Sequence, residues 1–267
     1  MQKNNNYNDQ YSLIMGDNVN VGSSSDLKDF FILIGWIALA IIVFLMTFQL
    51  FANYLIDNMS VKNQMKIEKL LATKNRPAIP YEYNSSVKNL YRLERKIISS
   101  DSSIKHKEIF PIYVSESTDI NAWVHPDGTI FFTKGILDEN MSEQELAFVL
   151  AHEIGHYAHR DHLKSISKKL AIMFLCMISG NETELGVVVK GISNVDSLHH
   201  SKKQEKQADL YAGRMLIKIY GTNQGGIDAM RRIKEKEKYP EFLQYISDHP
   251  LTTDRISLLQ NQQKRIK

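Results

Sequence analysis

A single cysteine, Cys176, serves 267 residues, which leaves no partner for an intrachain disulfide and no thiolate set for a cysteine-ligated zinc. It lies in an apolar run and reads as a small buried hydrophobe rather than a nucleophile. A strong charge of either sign is also missing: 33 Lys and Arg face 30 Asp and Glu, a net charge of +3. The basic residues are scattered, with no stripe of them interleaved with aromatics, so nucleic acid is not an expected partner. A hydrophobic content of 43% is enough for one sizeable core with appendages.

One stretch lacks charge altogether. Between Asp29 and Asp57, residues Phe30 to Ile56 would form a helix about 40 Å long, enough to cross a hydrocarbon core of about 30 Å with some tilt. It is too long and too far from the start for a signal-peptide core, and it shows no small-residue cleavage site. The expectation is a retained single-pass anchor that meets the lipid bilayer through residues 30–56. Before it, residues 1–29 are rich in Asn, Ser and Gly and read as a disordered tail.

Lys28 stands alone on the N-terminal side of the anchor, whereas Lys62, Lys66, Lys69, Lys74 and Arg76 follow it. The positive-inside rule therefore points to a cytoplasmic placement of the domain that follows, although a long following domain can translocate regardless. Residues 57–85 form a juxtamembrane segment. Ser60 to Leu71 reads as an amphipathic helix that meets acidic headgroups or solvent, and Pro77 and Pro80 punctuate a linker.

The folded domain, 86–267, starts with Val87, Leu90, Tyr91, Leu93 and Ile97 at helical spacing. Short β-like runs follow at Phe110 to Val114, Ala122 to His125 and Thr129 to Thr133, with Pro126-Asp127-Gly128 as the turn between the last two. Asn121 to His125 is a candidate edge strand, able to hold an extended peptide by main-chain hydrogen bonds. Leu170 to Ile178 is too short to span a bilayer and reads as a buried core helix.

The chemistry concentrates at Leu146 to Leu163, where His152, Glu153 and His156 spell HExxH. Positions i and i+4 share a helix face, so the two imidazoles can grip one ion with Glu153 beside it. A bare HExxH is a weak signal, but Ser142 and Glu145 form a capping box that gives the helix a defined start. Gly155, poor in a helix interior, suggests close packing or substrate approach. His159 and His162 continue the helix as surface groups or as outer partners of ligands.

A catalytic zinc takes three protein ligands and keeps a fourth position open. The metzincin spacing is absent, so the third ligand should come from another helix. Lys202 to Tyr220 is the candidate: Ala208, Tyr211, Ala212, Met215, Leu216 and Ile219 make its apolar face. Glu205 on the zinc would leave Asp209, one turn on, to accept from a ligand imidazole.

Four ordered stretches, NAWVHPDGTIFFTKGIL, HEIGHYAHRDH, EKQAD and SDHPLTTDRI, resemble the blocks of the HtpX-like and CAAX-prenyl-protease-like zinc metallopeptidases, over roughly Ser86 to Leu259. The resemblance implies an α+β fold: a mainly α-helical zincin-like metallopeptidase domain with a small β-sheet, here preceded by one transmembrane helix. It implies one zinc ion per chain, Zn2+ held by His152, His156 and Glu205, with Glu153 as general base. It further implies that His249 faces the metal, that Asp209 and Arg255 support the ligands, and that Asn121 and Ala122 line the substrate cleft. Many membrane members have several spanning helices, whereas one is found here, which favours a tethered endopeptidase acting on polypeptide substrates, such as misfolded membrane or envelope proteins. Anchored relatives with catalytic domains outside the cytoplasm oppose the charge-based orientation. The alternative is a membrane-bound holdase that binds extended chains beside a structural zinc.

Overall fold

A computed structural model describes residues 26–71, 83–102, 104, 109–179, 200–236, 238–242, 245, 248–250 and 253–265. The tail to residue 25 and the linker at 72–82 lie outside the described residues. The chain divides into two units, Met1–Phe48 and Gln49–Lys267.

The first unit contributes most of helix α1, Asp26–Asp57. This helix is long and apolar enough to cross a membrane, and its most apolar window has nothing buried inside the protein. Phe31 and Trp36 are among the large apolar side chains that it turns outward. A surface of this kind is stable in hydrocarbon and costly in water.

In the second unit, α2 (Val61–Leu71) and α3 (Asn84–Ser100) come first. The sequence periodicity of α3 is realised, since Val87, Leu90, Leu93 and Ile97 are buried. Strands β1 (Ile112–Ser115), β2 (Ala122–Val124) and β3 (Ile130–Thr133) form one sheet in the order β1-β3-β2. The expected hairpin is the antiparallel pair β2 and β3, with Ala122 opposite Phe132 and Val124 opposite Ile130. Gly128 closes its turn at φ 82°, a left-handed backbone that glycine adopts without penalty. Strand β2 is an edge, as the sequence suggested.

The short helix α4 (Lys134–Asp138) leads to α5 (Glu143–Ala158), which carries HExxH. The capping box is present as read: Ser142 accepts from the Glu145 N–H, and the Glu145 carboxylate accepts from the Ser142 N–H at 2.8 Å. Helix α5 is buried from Ala147 to Tyr157, so it is the central rod of the domain. Helix α6 (Asp161–Ser179) follows a break at Arg160, whose φ is 57°. His159 and His162 therefore do not lie on one continuous helix with the motif; His159 caps α5, and His162 stacks on Tyr157 at 5.6 Å. On α6, Ala171 is buried but Leu170 and Ile172 are about 42% and 41% exposed, so the expected core helix is not one at those two positions.

Helix α7 (Lys202–Tyr220) opens with a second capping box, Ser201 with Gln204, and ends at Gly221 with φ 73°. Its predicted apolar face packs along α5. Gly155 is the point of closest approach: a Cβ there would stand 3.2 Å from the Ala208 Cα. Helices α8 (Gln224–Lys236) and α9 (Thr253–Lys264) complete the core, with a 3-10 turn at Pro240–Phe242 between them in the chain. Phe148, Leu150, Ala212, Leu216, Met230 and Leu259 are fully buried among these helices. Each large apolar group so buried contributes about 1.5–3 kcal/mol.

One buried group works against this core. The Glu94 carboxyl accepts from the Phe110 N–H, while its Oε2 has no hydrogen-bond partner. Burial raises its pKa from 4.5 to about 7, against the opposing pull of the Phe110 N–H and of Arg95. A folded-state value above the unfolded one means stability that is complete below about pH 4.5 and lost as the pH climbs through about 7, amounting to about 3 kcal/mol. Urea unfolding of the detergent-solubilised chain across that window should show the loss in the wild type and a flatter profile in Glu94→Gln; parallel profiles would exclude it.

Candidate metal centre

One helical turn separates His152 from His156, and both imidazoles point from α5 towards α7. Their Nε2 atoms are 3.1 Å apart. Glu205, on the first turn of α7, brings its Oε2 to 3.4 Å from the His152 Nε2 and its Oε1 to 3.2 Å from the His156 Nε2. His249, whose N–H closes a helical turn on the Tyr245 carbonyl at 2.7 Å, places its Nδ1 3.4 Å from the His152 Nε2 and 3.2 Å from the Glu205 Oε1. All four residues are buried, and one ligand atom from each falls within 4.8 Å of the others.

The other ring nitrogens decide what these atoms offer. The His152 Nδ1 lies 3.1 Å from the Asp209 Oδ1, and the His156 Nδ1 lies 2.9 Å from the Asp161 Oδ2. A carboxylate at Nδ1 accepts a hydrogen bond from the ring N–H there and leaves the Nε2 lone pair free for an ion. Asp209 is itself held by Arg255, whose Nε and Nη2 donate to it at 2.6 and 2.8 Å, while the Arg255 Nη1 stands 2.8 Å from Glu205. Arg255 is thus a partner of the two α7 carboxylates, close to the role expected for it.

Charge in this buried volume is uneven. Glu153, Asp161, Glu205 and Asp209 are carboxylates, and Arg255 is the one permanent cation beside them among the described residues. Burial alone would raise Glu205, but the charge of His249 and hydrogen bonds from His152 and His156 hold it well below the usual carboxylate range. Burial opposes charging of His156, yet Asp161 and Glu205 outweigh it and raise the ring to about 10; Asp209 and Glu205 raise His152 in the same way. A site that draws protons this strongly onto two imidazoles has room in its charge balance for a divalent cation. With two imidazoles and a carboxylate converging, the donor set suits zinc.

Glu153 sits beside the cluster rather than in it. Its Oε2 accepts from the Val124 N–H at 3.0 Å, on the free edge of β2, and its Oε1 lies 3.6 Å from the His249 Nε2. Asn121, just ahead of that edge, donates through its side-chain amide to Asp248 at 3.2 Å and accepts from the Ala122 N–H at 2.9 Å. Every site residue read from the sequence therefore falls in one neighbourhood.

Residues 84–263 match the model of peptidase family M48. The chain belongs to that family. Its M48 relatives include metalloprotease YcaL of Escherichia coli, 25% identical over 155 residues that cover 55% of this chain and 58% of the relative. Mitochondrial metalloendopeptidase OMA1 of Schizosaccharomyces pombe is 27% identical over 178 residues, covering 65% of this chain and 52% of the relative. The human metalloendopeptidase OMA1 is 26% identical over 164 residues, 55% of this chain and 31% of the relative. The chain thus spans under two thirds of the length of these relatives. M48 metallopeptidases are zinc-dependent, and the cluster of His152, His156, Glu205 and His249 fits that ion.

Two residues beside the M48 cluster escaped the sequence reading. Asp161 stands five positions after His156, off the helical face, and reaches the ring only because the chain breaks at Arg160. His200 stacks on His156 at 3.7 Å between centroids, with its N–H donated to the Asp248 carbonyl. Asp161→Ala should lower zinc affinity about 10–100-fold, as loss of a ligand's carboxylate partner commonly does. Competition with a chromophoric chelator measures this, and wild-type affinity in a folded variant would exclude an orienting role.

Proposed function

We propose that this chain is a membrane-tethered zinc endopeptidase that hydrolyses peptide bonds of membrane or envelope proteins, misfolded ones among them. The observation that carries this reading is the meeting of His152, His156 and Glu205 on one point with Glu153 between that point and a free strand edge. Zinc bound by those three residues would polarise the peptide carbonyl and lower the pKa of water from 15.7 towards about 7. The remaining steps belong to the chain.

An extended substrate adds alongside β2, the edge strand of the sheet, at Asn121 to Val124. Glu153 takes the proton of the attacking water at its carboxylate and passes it to the leaving amine. The Val124 N–H holds that carboxylate towards the cleft meanwhile. His249 stands among the ligand atoms, where it can fill the fourth position in the resting chain and, once swung aside, donate to the developing oxyanion. Donors of that kind are worth about 3–4 kcal/mol. Arg255 and Asp209 keep Glu205 and His152 aimed while this happens. Helix α1 would tether the site to the bilayer, and the names of the relatives, metalloprotease and metalloendopeptidase, agree with the reaction class.

Glu153→Gln keeps the size of the side chain and removes the base. It should retain zinc by elemental analysis while cleavage of an unfolded protein falls by about 10²–10⁴-fold. Cleavage at the wild-type rate would sink the mechanism. A holdase would instead show equal suppression of aggregation by both proteins and peptide products from neither.

A further inference from the structure

The two faces of the sheet are built differently. On the core side Ile112 and Val114 of β1, Ala122 and Val124 of β2, and Ile130 and Phe132 of β3 are buried. The residues between them, Tyr113, Trp123 and Phe131, turn to the other face, and all three are aromatic. They stand in one row across the strands, since Phe131 is the register partner of Tyr113 in the parallel pair and of Trp123 in the antiparallel pair. The Trp123 indole stacks on the Phe131 ring at 5.1 Å between centroids and 9° between planes, and Phe131 meets Tyr113 at 5.9 Å. The row ends on the edge strand, where Trp123 is only partly buried and its N–H has no hydrogen-bond partner among the described residues.

The backbone of β2 determines what the end of this row can meet. The Asn121 carbonyl accepts from the Thr133 N–H, and the His125 N–H donates to the Thr129 carbonyl, so these alternate residues turn their backbone groups to β3. By the two-residue period of a strand, Ala122 and Val124 turn theirs to the outer edge. The partners of their N–H groups are accordingly side chains, Asn121 and Glu153, rather than β3. A strand laid antiparallel on that edge would bond at Ala122 and Val124 and would face Trp123 in a non-hydrogen-bonded pair, the closer kind, with Cα atoms about 4.5 Å apart. Residues so paired have their side chains on the same face. The side chain opposite Trp123 would therefore lie against the outer flank of the indole. Trp123 also adjoins Val124, whose N–H the Glu153 carboxylate accepts, so this neighbour is close to the bond being cut.

We propose that Trp123 is a specificity-determining residue, whose indole selects polypeptides with an aromatic or large apolar side chain at the position that pairs with it. The inference rests on the protease reading above and on the substrate joining β2. A ring or long aliphatic chain at that position would extend the row of Tyr113, Phe131 and Trp123 and cover the indole flank, whereas a small polar group would leave it in water. Such side chains are mostly inside folded proteins, so the preference would by itself favour unfolded chains as substrates.

The zinc-loaded full-length chain in detergent is incubated with an unfolded protein, and the product termini are mapped by mass spectrometry. Phe, Tyr, Trp, Leu and Met should be enriched at one position near the cleaved bonds. Two peptides that differ only there, Phe against Ser, should then differ about 3–10-fold in kcat/KM with the wild type. Trp123→Thr and Trp123→Val, both strand-forming, should bring that ratio to about 1, and Trp123→Tyr should keep it. Each ratio is taken within one protein and does not depend on its overall activity. Products without preference at any position, or a wild-type ratio in either of the two variants that lack the ring, would overturn the inference and leave the protease reading intact. No products from the wild type, or equal cleavage by Glu153→Gln, would overturn the protease reading and the inference with it.

Discussion

Two imidazoles on one helix and a carboxylate on another can share an ion only if the helices run nearly backbone to backbone. In this chain that closeness depends on Gly155, against the Ala208 backbone and the Tyr211 ring. A methyl at this position would press on backbone that cannot yield without moving α7, and Glu205 rides on the first turn of α7. The cost of a glycine inside a helix, about 1 kcal/mol relative to alanine, is thus offset by the geometry that it permits. Burial of Ala208, Ala212 and Leu216 against α5 then holds the approach, so the apolar core and the polar cluster are one construction seen from two sides.

Electrostatics carries the same constraint outward. Arg255 is buried, a state that is expensive unless its charge is matched, and it is matched twice, by Asp209 and by Glu205. Asp209 passes the restraint to His152, as Asp161 does to His156. The imidazoles therefore have little rotational freedom before any ion arrives, and their Nε2 atoms are already directed at one another. Their 3.1 Å separation suits a proton or a metal between them. Pre-organisation of this kind shifts the cost of assembling the site from the moment of binding to the moment of folding.

Much of this was legible in the residues themselves. HExxH names a helix face, Ser142 with Glu145 fixes where that helix begins, and the ExxxD pair falls on a helix whose apolar face was readable by period. Asp161 was hidden because its role depends on one left-handed residue, Arg160, and nothing in a non-glycine side chain announces a positive φ. His200 was hidden because stacking is a tertiary contact with no spacing of its own. The Leu170 to Ile178 run was legible only in part: Ala171 is buried while Leu170 and Ile172 are exposed, and composition alone does not fix which face a short apolar helix turns inward.

The juxtamembrane helix sharpens what a tether means here. Sequence alone allowed α2 to be a solvated spacer, yet Gln64 and Glu68 are buried, and the Tyr157 hydroxyl donates to Glu68 at 2.5 Å. Tyr157 follows His156 directly, and three residues later Arg160 holds the carbonyls at the end of α1. The helix that bears the metal ligands is therefore bonded to the chain that leaves the apolar span, both before and after Asp57. The position of the cleft relative to the last turns of α1 is then set by hydrogen bonds within one folded unit, Gln49–Lys267, and the motif helix is the part of the domain that those bonds reach first.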